Sequence, residues 1–251
     1  MIANVEYNRD NSRSSQEERM EKNRSIFSMG RIILLVLIVL AMPMLPLFIS
    51  RRWDWWEAWF YAIASIAGFI ASRALAARRH ADLLQERARM LNQADAKAWD
   101  KLLAPLVGFG GGLIPLTVGV DALFGHSAAF SLPVKIIAIS LILAGYGLAN
   151  YALIENRFFS GMVRIQTDRG HTVISSGPYA WIRHPGYAGG MLTFLAAPFL
   201  LDSAWALLPA GLLCAALIAR TRLEDQTLQA ELPGYTGYAQ RVRYRLLPGI
   251  W

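Results

Sequence analysis

Cysteine is nearly absent from this sequence: Cys214 stands alone. An intrachain disulfide framework and a cysteine-cluster metal site are thereby excluded. Cys214 lies inside an apolar run, away from the polar surroundings a thiolate needs, and reads as a packing thiol. Charge is scarce as well. Charged residues make up 17% of the 251, against 55% hydrophobic ones. A soluble domain carries about 25% charged residues, so the balance points to a membrane protein. Alternating strand and helix patterns are missing, which argues against a soluble nucleotide-binding domain. Long repeats and low-complexity tracts are missing too. The net charge of +7 comes from basic residues scattered between apolar runs. That distribution suits the cytoplasmic loops of a membrane protein better than a nucleic-acid surface.

No cleavable signal is expected, because the polar head before the first apolar run is too long for a signal n-region. The head, residues 1–31, lacks a helical apolar stripe and reads as a cytoplasmic tail. Four apolar segments follow within residues 32–155. The first, Ile32 to Ile49, holds Pro43 and Pro46, which should kink it. The second runs from about Trp55 to Ala77, with Trp53, Trp55, Trp56 and Trp59 at its start, where tryptophan favours the membrane interface. The third, Leu102 to Phe124, has the glycine-rich centre "GFGGG", which would let another helix approach closely. The fourth, Val134 to about Glu155, offers Gly145, Gly147 and Ala149 as a packing face. The last run, Tyr187 to Arg220, is too long for one span, and Asp202-Ser203 supplies a turn and a cap. A short helix and a longer one in a tight hairpin fit it best.

Basic residues test this count. Arg78, Arg79, Arg87, Arg89, Lys97 and Lys101 fall in one connection, and Arg157, Arg164, Arg169 and Arg183 in another. The head and tail are basic as well, while the opposite side holds little beyond Arg51, Arg52 and Lys135. The expected fold is therefore an all-α integral membrane protein of about six transmembrane helices. Both termini and all the basic segments would be cytoplasmic.

Chemistry concentrates in residues 156–251. The connection "NRFFSGMVRIQTDRGHTVISSGPYAWIRHPG" is dense in hydrogen-bonding groups and rings. "HTVI" is β-branched and should be extended, and Pro178 and Pro185 disfavour helix just before them. Such a loop would grip a polar ligand at the membrane surface, or it is a proline-stopped loop whose arginines meet lipid phosphates. In the tail, Arg220 and Glu224 share a helix face. They form either an ordinary ion pair or a site in which Glu224 meets a cationic ligand and Arg220 an anionic one. Tyr235, Tyr238 and Tyr244 would close over that site or anchor at the interface.

"SGPYAWIRHPGY", one hairpin, and then "RTRLED" and "PGY" resemble the isoprenylcysteine carboxyl methyltransferase family. These integral membrane enzymes, related to the phospholipid methyltransferases, use S-adenosylmethionine. The resemblance covers roughly Asn150 to Trp251. It implies a methyltransferase catalytic region made of a cytoplasmic cofactor-binding loop, the hairpin and a C-terminal helix. It also implies cofactor contacts from His171, Thr172, Val173, Ile174, Tyr179, His184, Pro185, Gly186, Tyr187 and Glu224. Gln166 is a further expected contact, with Arg164 competing for that place. Arg220 is expected on the acceptor. Arg220, His184 and Glu224 are thus the expected catalytic residues, and no metal is expected. The second family carboxylate is Asp225 here instead of Glu, and "QAELPGYTGY" spaces its glycine and tyrosines differently from the eukaryotic enzymes, which leaves the acceptor open.

A carboxylate acceptor is already ionised and needs no general base, so alignment and exclusion of water would supply most of the rate. Arg220 would orient it through a bidentate contact. His184 is either a cofactor partner or a proton acceptor for a neutral nucleophile such as a thiol. The expected function is a membrane methyltransferase acting on a lipophilic or lipidated acceptor. A nicotinamide-dependent membrane reductase and a non-catalytic lipid- or partner-binding module are the alternatives.

Overall fold

The computed structural model describes residues 29–88, 93, 95–125 and 127–251. The expected polar head lies outside them up to residue 28. By contacts the chain divides after Val39, and the described part of the first unit is the opening of helix α1, Met29–Ser50. Helix α1 continues through Pro43 and Pro46. The second unit, Leu40–Trp251, holds the rest. Its helices are α2 (Trp56–Arg79), α3 (Ala81–Ala88), α4 (Asp100–Gly110), α5 (Leu113–Leu123) and α6 (Leu132–Glu155). After a long connection come α7 (Pro185–Leu200), α8 (Leu207–Glu231) and α9 (Tyr235–Arg241). No strand occurs among the described residues, and "HTVI" stays irregular.

Among the described residues three helical stretches are long and apolar enough to cross a membrane: Trp56–Arg79, Asp100–Leu123 and Leu132–Glu155. Each has 24 residues, or about 36 Å at 1.5 Å per residue, more than the hydrocarbon thickness of about 30 Å. The second of them is α4 and α5 joined at Gly111-Gly112. The shorter apolar piece Leu37–Ser50 adds to these. Helix α7 has 16 residues and α8 has 25. The turn between them is the one expected at Asp202-Ser203. Asp202 sits at φ +52°, and the Ser203 hydroxyl accepts the Ala206 N–H at 3.3 Å.

Small residues set the helix spacing, because nothing larger than hydrogen fits where two backbones meet. A side-chain carbon on Gly145 would lie 2.6 Å from the Gly189 carbonyl oxygen, and one on Gly189 would lie 2.5 Å from the Gly145 oxygen. Helices α6 and α7 therefore touch backbone to backbone. In the glycine-rich centre, a carbon on Gly110 would meet Leu213 at 2.8 Å, so α4 abuts α8 there. Gly147 faces open space, which removes it from the expected packing face.

The core joins Leu47, Trp55, Ile114, Val118, Ile142, Leu200 and Leu213. Trp55 is therefore a core residue and not an interface anchor, whereas Trp53, Trp56 and Trp59 are exposed as expected. Cys214 is buried. At one end of the bundle Lys135 bonds Glu57 and Asp202, each at 2.6 Å, tying the starts of α2 and α6 to the α7–α8 turn. The long connection lies at the other end.

Candidate functional site

The connection from α6 to α7 is fixed by charge. The Arg164 guanidinium donates to Glu86 at 2.8 Å, Asp95 at 3.0 Å and Asp168 at 2.8 Å. Burial works against its charge, but these carboxylates outweigh it and hold Arg164 firmly ionised. Gln166 donates to the Phe158 carbonyl at 2.8 Å and accepts from Arg169. Arg169 also reaches Asp82 at 2.7 Å. Gln166 and Arg164 both line the cavity described next, yet the side-chain polar groups of both are committed to shaping this loop.

That cavity, of about 260 Å³, opens between the connection, the start of α7, the end of α8 and α9. It gathers His171, Thr172, Val173, Ile174, Tyr179, His184, Gly186, Tyr187, Arg220 and Glu224, together with Tyr235 and Tyr238 of the tail. Pro185 does not line it. That residue is buried at the first position of α7, where a missing N–H costs nothing. Tyr244 does not line it either. The wall from α4 is apolar: Ala104, Val107 and Gly108.

Tyr179 is buried, and its hydroxyl accepts from Asn156 at 3.2 Å while its carbonyl accepts the Tyr238 hydroxyl at 2.7 Å. His171 packs against Phe158, with ring centroids 4.5 Å apart and planes tilted by 36°, and its Nδ1 accepts the Gln166 N–H at 3.3 Å. Burial, then Arg169 and Arg164, lowers the His171 pKa to about 4, so the ring is neutral at pH 7.

The centre of the site is built on two neighbouring acids of α8. Glu224 accepts the Tyr187 hydroxyl at 2.5 Å and retains some exposure to the cavity. The Tyr187 ring is stacked on His184, centroids 5.7 Å apart and planes within 3°. Asp225 points the other way and is fully buried. It accepts both arms of Arg183 at 2.7 and 2.9 Å, Arg245 at 2.9 Å and the Tyr235 hydroxyl at 3.0 Å. Burial opposes its charge, but His184, Arg183 and Arg245 hold it well below the usual carboxylate range. The Arg183 and His184 N–H groups also donate to the Tyr244 and Arg245 carbonyls, at 2.9 Å each. The tail is thereby strapped across the His184-Pro185 turn.

Arg220 lines the cavity with its guanidinium 5.2 Å from the Tyr187 ring centroid. Its Nε and Nη2 donate to Asp100 at 2.7 and 2.9 Å, and Nη2 also reaches the Gly161 carbonyl at 2.8 Å. The bidentate fork expected for an acceptor is thus occupied by Asp100, which leaves Nη1 as the remaining donor. The ordinary Arg220–Glu224 ion pair does not form among the described contacts. Asp100, Arg183, Asn156 and Arg87 went unnoticed as site residues in the sequence. No local spacing links them to the His184 motif.

Residues 136–230 match the family model described as the isoprenylcysteine carboxyl methyltransferase (ICMT) family. The match covers 95 residues, less than half of the chain. It takes in most of α6, the connection, α7 and nearly all of α8, and so His171, His184, Tyr187, Arg220 and Glu224. Tyr235 and Tyr238 lie beyond it. The chain is also similar to the mouse (Mus musculus) Delta(14)-sterol reductase TM7SF2, at 27% identity over 161 residues. That match covers 55% of this chain and 36% of the mouse protein, so the chain spans little more than a third of that relative's length.

Proposed function

We propose that the protein is an integral membrane methyltransferase that uses S-adenosylmethionine and methylates a lipophilic acceptor, with a carboxylate as the expected target. One observation carries this reading. A single cavity joins the His171–Ile174 segment, Tyr179, the His184–Tyr187 turn and Glu224 to the apolar face of α4. A polar donor and an apolar acceptor have a common meeting place there.

The residues present fit the donor. His184 Nε2 is buried without a hydrogen-bond partner, and the nearest acid oxygen, on Asp225, is 3.6 Å away, too far for one. Glu224 keeps acceptor capacity beyond its Tyr187 bond, and rings of Phe158, Tyr179 and Tyr235 surround the space. One carboxylate among aromatic faces suits a cationic nucleoside. Glu224 and His184 would hold its polar groups, with the backbone of Thr172, Val173 and Ile174.

When bound, S-adenosylmethionine would supply a methyl group activated on its sulfonium: an ionised acceptor oxygen would bond to the methyl carbon in line as the carbon–sulfur bond breaks and S-adenosylhomocysteine leaves. Tyr187 orients Glu224, and Asp225 with Arg183 fixes the turn that carries His184. Tyr235, Tyr238 and the α4 wall would exclude water, where positioning is worth the most. The connection and both termini would face the cytoplasm.

The likeness to a sterol reductase supports a second reading, a nicotinamide-dependent membrane reductase. Purified protein incubated with a lipid extract separates the two. Labelled methyl appearing in the lipid fraction from S-adenosylmethionine supports the first. Oxidation of a reduced nicotinamide without methyl transfer overturns it.

A further inference from the structure

Arg87, on α3, lines the same cavity as Arg220 and the α4 wall. Its Nη1 donates to the Phe159 carbonyl at 3.1 Å, and its guanidinium lies 5.5 Å from the Phe159 ring centroid. No acid pairs with it among the described contacts. The acids on its own helix are committed elsewhere: Asp82 to Arg157 and Arg169, Glu86 to Arg164. Burial, then the neighbouring Arg73 and Arg220, lowers the pKa of Arg87 to about 10. Arg87 is half-buried beside two other cations and has no acid of its own among the described contacts, so an anion entering the cavity would meet it favourably. Arg220 is already neutralised by Asp100.

We propose that Arg87 is the anion anchor of the acceptor site. With the free Nη1 of Arg220 it holds the carboxylate or phosphate head of a single-tailed amphiphile, whose apolar part lies along Ala104, Val107 and Gly108. The assignment rests on the methyltransferase reading, in which this end of the cavity receives the acceptor. It moves the principal anion contact from Arg220, whose fork is occupied, to a residue on another helix. A planar guanidinium with Nε and Nη2 still available suits a planar carboxylate.

The test titrates the full chain, in a neutral maltoside detergent and saturated with S-adenosylhomocysteine, with four probes of equal tail length. These are dodecanoate, dodecyl phosphate, dodecanol and dodecyltrimethylammonium. At least one anionic probe should bind tenfold or more tighter than dodecanol. Preference for dodecanoate assigns a carboxylate head, and preference for dodecyl phosphate assigns a lipid phosphate. Arg87→Gln should weaken the preferred anion by roughly ten- to a hundredfold, the range for losing a charged hydrogen bond. It should leave dodecanol and S-adenosylhomocysteine binding unchanged, and Arg87→Lys should recover part of the loss. Equal binding of all four probes by the unaltered protein overturns the proposal, as does undiminished anion preference in Arg87→Gln. Should Arg87→Gln fail to fold, the preference of the unaltered chain and its reduction in Arg87→Lys decide. Failure of S-adenosylhomocysteine to bind the unaltered chain would instead overturn the methyltransferase reading, while the anion preference could still be read.

Discussion

Arg220 and Asp100 are 120 residues apart in the chain and share a two-pronged ion pair at 2.7 and 2.9 Å, buried between α4 and α8. Asp100 also accepts the Val163 N–H at 2.6 Å, so one carboxylate joins two helices and the connection that walls the cavity. Removing one partner of a buried pair leaves the other charge uncompensated. Asp100→Ala should destabilise the protein by roughly 3–5 kcal/mol. The drop would be read as a lower thermal midpoint in detergent, and an unchanged midpoint would contradict it. Arg220→Lys should also lose stability, because an ammonium cannot span both oxygens, while affinity for S-adenosylhomocysteine persists.

Asp225 should act on the tail and the turn together. Asp225→Asn keeps the shape but removes the charge that holds Arg183 and Arg245. The strap formed by Tyr244 and Arg245 would loosen. Limited proteolysis should then cut within residues 241–251 faster than in the unaltered protein. Equal cleavage rates would show that the backbone bonds suffice.

Acid should weaken the loop through His171. In the unfolded chain its pKa is the ordinary 6.5, and in the folded protein about 4. Between these values the unfolded state binds the extra proton, so stability is full above about pH 6.5 and falls as pH drops towards 4. Asp225 stays ionised over this window. The thermal midpoint should decline from pH 7 to 4.5, and His171→Gln should flatten that decline. A midpoint equally steep in both proteins would contradict the assignment.

The α6–α7 contact should tolerate no added volume. Gly189→Val would force a branched side chain against the Gly145 carbonyl. A loss of roughly 1–3 kcal/mol or more is expected, seen in the thermal midpoint. Gly147→Ala, facing open space, serves as the neutral control.

Three of the apolar spans, Trp56–Arg79, Asp100–Leu123 and Leu132–Glu155, and the α7–α8 turn were legible in the sequence because hydropathy and a turn signal are local properties. The glycines were legible as packing residues in kind but not one by one. Gly145 and Gly147 look alike in the sequence, yet only Gly145 meets a neighbour. The His184 turn and Glu224 were read as one region through the family resemblance, whose motifs lie one hairpin apart. The Asp100–Arg220 pair and the Glu86–Arg164 pair could not, since they join distant parts of the chain and carry no spacing signal. Trp55 was misplaced for a related reason: four tryptophans at a helix start look like an interface belt, and only packing reveals that one turns inward.

Binding of S-adenosylhomocysteine tests the central claim most directly. Isothermal titration of the detergent-purified chain should show a single saturable site, weakened at least tenfold by Glu224→Ala and also by His184→Ala. Absence of heat and of thermal shift at millimolar ligand would contradict the account, as would unchanged affinity in both variants.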